Sequence, residues 1–101
     1  MYRLMVAYPS GEGNTFDFDY YCNTHMPLVE GFIGKDVIRS EVSRGVSGLG
    51  DDPAPYMAIG QIYMRTMAGF EKAVEEHLQD MLNDQPNYTN ITPLVQIEEI
   101  V

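Results

Sequence analysis

One cysteine, no tryptophan, two histidines and six basic residues mark what this chain of 101 residues is short of. With Cys22 alone, no intrachain disulfide can form, so the fold must rest on its apolar core, as suits a reducing compartment. No apolar run approaches the roughly 20 residues needed to span a bilayer. The opening stretch "MYRLMVAYP" lacks the long apolar region and small-residue cleavage site of a secretory signal, so a cytoplasmic location and no membrane contact are expected. Six basic against fifteen acidic residues give a formal charge of -9, which repels a phosphate backbone and leaves no basic stripe to collect one. Nucleic acid is therefore not an expected partner. Two histidines and one cysteine, with no carboxylate cluster at ligand spacing, give no metal site. The short "GEG" and "GLG" runs lack the spacing of a dinucleotide loop or P-loop, so no cofactor is expected. The densest acidic group, Glu71, Glu75, Glu76, Asp80 and Asp84, recurs at helical spacing and reads as a solvated helix face.

What is present is a globular composition with 45% hydrophobic residues, enough for one core and too little for two, so residues 1–101 are expected to form a single domain. Arg3 to Tyr8 alternate as a strand and stop at "PSGEGN". Asn14 or Thr15 is placed to cap a helix, with Asp17 in its first turn, and apolar positions follow at Phe18, Tyr21, Cys22, His25, Val29 and Phe32. Gly31 and Gly34 end that element. Extended chain from Asp36 to Ser47, a Gly/Asp/Pro loop and a strand from Tyr56 to Arg65 make a hairpin. Phe70, Ala73, Val74, His77, Leu78, Met81 and Leu82 form the clearest amphipathic helix, and Ile91 to Val101 a last strand whose Pro93 asks for an edge or a strand start. The order β-α-β-β-α-β is that of an α+β, ferredoxin-like fold: a four-stranded antiparallel sheet with two helices on one face. Apolar residues of both parities, Ile62 and Met64 against Met57, Ile59 and Tyr63, predict that the open sheet face is covered by a second copy in a homodimer.

His25 falls on the stripe that the first helix buries, four residues after Tyr21 and two before Pro27. Pro27 offers no N–H and its ring crowds the carbonyl of Asn23, so the helix is expected to bend or restart there and Met26 to leave α geometry. Such a break would leave a gap beside His25, walled by Tyr21, Met26, Leu28 and the sheet, with a backbone carbonyl to orient the ring. Desolvation there would keep the imidazole neutral, as a general base requires. The alternative is a core histidine satisfied by a carbonyl or a tyrosine hydroxyl. His77 and Cys22 are assigned to packing.

The stretch "FDFDYYCNTHMPLV" resembles the signature of the EthD-like family of the dimeric α/β-barrel superfamily: an aromatic, a tyrosine followed by another aromatic, three residues, then His-x-Pro-Leu. The resemblance implies dimers whose sheets meet as an α/β barrel, with a cleft between helices and sheet in each subunit. The motif histidine is His25, its proline Pro27 and its second aromatic Tyr21, where family members often carry tryptophan. Tyr21 and His25 are the catalytic candidates that follow, with Phe18, Met26, Leu28, Tyr8 and Tyr56 as expected contacts to an apolar small molecule. The expected function is a small cofactor-independent enzyme acting on an aromatic, lactone or polyketide-like ligand by isomerisation, dehydration or ring rearrangement. A non-catalytic binding or accessory protein and a cofactor-free monooxygenase are the alternatives.

Overall fold

The computed structural model describes residues 1–101. Strands β1 (Tyr2–Pro9), β2 (Val37–Arg44), β3 (Tyr56–Met64) and β4 (Leu94–Glu99) form one antiparallel sheet in the order β2-β3-β1-β4. The two strands of the hairpin lie together on one side, and the first and last strands complete the other. Pro93 directly precedes β4, an edge strand, so the missing N–H interrupts no ladder on a central strand.

Helical residues cover one face. The first helical stack is α1 (Phe18–Tyr20), a wider turn from Tyr21 to His25, and α2 (Met26–Ile33); the second is α3 (Ala68–Asp84). The N-cap is Asp17, whose carboxylate accepts from the Tyr20 N–H, and neither Asn14 nor Thr15 caps the helix. Those two are engaged elsewhere: Asn14 donates to the Pro9 carbonyl, and the Thr15 N–H donates to the side chain of Asn90. Gly31 lies inside α2 rather than ending it, and the stop comes at Gly34, whose φ of 82° suits a residue without a β-carbon. Asp36 then docks the start of α3 by accepting from the Gly69 N–H and the Thr66 hydroxyl. Those bonds hold its carboxyl below the usual range.

Register decides what the two sheet faces carry. Leu4, Val6 and Tyr8 pair with Ile62, Gly60 and Ala58 and lie under the helices, with Tyr8, Ala58 and Ile62 all but fully buried. The opposite parity carries Met5, Ala7, Met57, Ile59 and Leu94, together with a row that crosses all four strands. In that row Glu98 pairs with Arg3, Arg3 also donates to the Tyr63 hydroxyl, and the Arg39 guanidinium sits over the Tyr63 ring beside Glu41. This face has no cover within the chain.

Candidate active site

The five residues from Tyr21 to His25 wind as a π-helix, and the Met26 N–H closes on the Tyr21 carbonyl five residues back. The regular α winding restarts where Pro27 was expected to interrupt it, α2 beginning at Met26 with the proline in its first turn, but the chain stays helical through the change. Met26 keeps α geometry, with φ -61° and ψ -45°, and the helix continues to Ile33. Wider winding explains why: a proline ring collides with the carbonyl four residues back, and a turn closed five residues back opens the spacing where that ring must fit. The wide turn also resets the faces. Tyr21, His25, Met26, Val29 and Ile33 point inward, whereas Cys22 is exposed and has no packing role.

His25 is 7% exposed and lies flat against Tyr21, the ring centroids 5.4 Å apart at 19°. Its orienting partner is not a backbone carbonyl but Asp84 at the end of α3, with Nδ1 2.9 Å from Oδ2. The other oxygen of Asp84 accepts from the Tyr20 hydroxyl at 2.6 Å and from the Asn87 amide at 3.0 Å. Burial alone would raise the Asp84 carboxyl, but the bonds from Tyr20, His25 and Asn87 outweigh it and hold the group below the usual carboxylate range. An ionised carboxylate can only accept, so Nδ1 of the imidazole carries the proton. Nε2 then faces the Tyr88 hydroxyl at 3.4 Å, and that hydroxyl is 2.8 Å from the hydroxyl of Tyr8. Desolvation pushes Tyr88 up to about 12 and raises Tyr8 and Tyr21 as well, so all three phenols remain protonated donors at neutral pH.

Beside this chain of groups lies a cavity of about 160 Å³. Leu4, Val6, Gly60 and Ile62 of the sheet form its floor, and Met26, Val29, Phe70, Val74 and Met81 of the helices its roof. Its α3–β4 side is made by Leu78, Leu82 and Val95, each about half exposed at 46%, 49% and 59%, so the cavity opens there. The polar side chains among the lining residues are His25, Tyr8, Tyr21, Tyr88 and Gln85, and the Gln85 amide is already donating to the Ile91 carbonyl. Gly60 is fixed by Tyr21: a β-carbon there would stand 2.1 Å from the tyrosine hydroxyl.

A family model described as the EthD domain matches residues 10–92, most of the chain. The chain belongs to the EthD family. It is similar to an EthD-like protein from Ralstonia eutropha of known structure at 34% identity, covering 99% of this chain and 91% of the other, with a TM-score of 0.92. An ethyl tert-butyl ether D (EthD) family protein from Bacillus halodurans shares 20% identity over 100% and 99% of the two chains, with a TM-score of 0.64. A dabb family protein with a ferredoxin-like fold from Mesorhizobium loti shares 10% over 99% and 96%, with a TM-score of 0.57. The last two show the fold alone. No match was found among curated proteins.

In this EthD-family chain, Tyr8, Tyr21, His25 and Met26 meet at the cavity. Phe18, Leu28 and Tyr56 do not line it. Phe18 is half-buried against Phe16 and under the Arg44 guanidinium, and Leu28 and Tyr56 are half-buried elsewhere. Two further residues of the arrangement escape the sequence reading. Asp84 is not part of the solvated acidic face, although its position was signalled: it falls seven residues after His77 and three after Met81, on the apolar stripe of α3. Tyr88 sits in a loop that carries no periodicity to read. His77 packs at a boundary as expected, with its ring stacked on Phe32 at 4.0 Å. No three His, Cys, Asp or Glu side chains are grouped to hold a metal ion, and no helix is long and apolar enough to cross a membrane.

Proposed function

We propose that the whole chain works as one domain that binds a small apolar ring compound in the cavity and moves a proton on it with His25, without a cofactor. The observation that carries this reading is the pairing of His25 with Asp84 at the wall of a mostly apolar hollow. Asp84 holds the Nδ1 proton and leaves Nε2 as the acceptor, so Nε2 takes a proton from a carbon next to a ligand carbonyl. The oxygen that gains charge receives a hydrogen bond from the Tyr88 hydroxyl, itself backed by Tyr8. Returning the proton from Nε2 to a different carbon completes an isomerisation. Tyr21 fixes the imidazole plane by stacking. Asp84 is a positioning residue, and its negative charge offsets the imidazolium formed midway.

The test is α-proton exchange in D2O, followed by NMR over a panel of enolisable ring ketones and lactones. Protein-dependent exchange is expected on at least one member, abolished in His25→Gln and reduced about 100-fold in Asp84→Asn, as loss of a general base and of its orienting partner should do. Exchange that persists in folded His25→Gln rejects the role of His25. A second reading, a binding protein without turnover, is favoured by the Tyr88 hydroxyl already facing Nε2. Binding without exchange across the panel would select it. We further propose that two copies meet through the uncovered sheet face, forming a dimeric α/β barrel that covers Met5, Met57 and Ile59. Light scattering that returns a monomer at micromolar concentration would end that proposal.

A further inference from the structure

None of the six basic residues lines the cavity. Arg3 and Arg39 are held on the opposite sheet face by Glu98, Glu41 and the Tyr63 ring, Arg44 lies over Phe18, and Arg65 donates to the Lys35 carbonyl. The Asp84 carboxylate stands behind the imidazole of the wall, 2.9 Å from Nδ1. An anionic ligand would thus lose its water without meeting a lysine or arginine, and the one wall group able to take a positive charge, His25, is already paired with a carboxylate. Size sets the second limit. A closed apolar hollow of about 150 Å³ accommodates a benzene ring, and this one, at about 160 Å³, is of the same order before its contents reach the α3–β4 opening. The third limit comes from the hydroxyl chain: the 3.4 Å link between Tyr88 and His25 is its loosest, and an oxygen placed there receives from Tyr88 while its own proton faces Nε2.

We propose that the cavity admits uncharged single-ring compounds carrying one hydroxyl or carbonyl oxygen and turns away the matching carboxylates, an inference that rests on the ligand-binding reading above. The test uses three probes that share the 4-ethylphenyl group, 4-ethylphenol and the isosteric pair 4-ethylbenzamide and 4-ethylbenzoate, titrated calorimetrically into the full chain at pH 7.5. The phenol and the amide bind, and the benzoate binds at least tenfold more weakly than its amide. In Leu82→Arg, which brings a guanidinium to the opening, the benzoate-to-amide gap closes by at least a further factor of ten relative to the native chain. A native gap below tenfold overturns the charge rule and leaves the cavity as a binding site. An unchanged gap in a folded Leu82→Arg also overturns it, because the discrimination would then not be one of charge. Binding by none of the three removes the cavity reading itself, and the charge rule with it.

Discussion

The two halves of the helical layer are closed to different degrees. Over the hairpin side, α2 and the π turn bury Tyr21, Met26, Val29 and Ile33 almost completely; on the β4 side, α3 buries only Ala73 and leaves Leu78 and Leu82 half exposed opposite Val95 and Ile97. Both halves were built from apolar stripes of similar quality. The difference is one of cover: the inward side chains of α2 are closed over, whereas Leu78 and Leu82 of α3 border the side on which the cavity opens. A hydrophobic stripe in this chain therefore serves stability where it closes and borders an open cavity where it does not.

Truncation on the closed side should give the largest effect. Ile33→Ala, at 4% exposure, should lose about 3 kcal/mol in chemical denaturation, while Leu82→Ala across the opening should lose less than about 1 kcal/mol. Equal losses would erase the contrast. Gly60→Ala tests the contact between the cavity floor and the π turn and should lose about 2 kcal/mol, because a β-carbon has no room beside the Tyr21 hydroxyl. Tyr21→Phe in the same chain should recover part of that loss, so the two changes are not additive.

A smaller and slower effect is expected with pH. Tyr8, Tyr21 and Tyr88 have their ionisation raised by burial, so each contributes stability that is intact below the unfolded value of about 10 and is lost as the pH climbs through the folded value, about 12 for Tyr88. Ultraviolet titration should show Tyr63, lowered by its bond from Arg3, ionising early, and these three ionising together with alkaline unfolding. Three tyrosines that titrate freely near 10 in the folded chain would show that the hydroxyl chain is open to water. At the acid end the sign reverses: Asp84, lowered in the folded chain, contributes stability above its unfolded value of about 4 that is lost as the pH falls below it.

The order of elements, the hairpin, the edge position of β4 and the inward His25 were legible because each has a local periodicity or a breaker residue behind it. Pro27 marked an irregular helix, but its consequence was not, since a π turn satisfies the proline without a break and moves Cys22 outward in the same stroke. Asp84 shows a different limit. Its spacing put it on the apolar stripe, yet its charge argued for solvent, and only the arrival of His25 from 59 residues away decides between them. Tyr88 depends wholly on tertiary placement: its loop is pinned by the Asp17 N–H on the Tyr88 carbonyl and by the Thr89 hydroxyl donating to the Thr15 carbonyl, bonds that no local pattern encodes.

The most direct measurement is the ring nitrogen resonances of His25 in long-range 1H–15N spectra, recorded before and after saturation with 4-ethylphenol. An imidazole held by Asp84 beside an open hollow gives a protonated Nδ1 and a bare Nε2, and the bare nitrogen shifts when the probe enters. A proton on Nε2, or an Nε2 signal unmoved at saturation, contradicts the site described above.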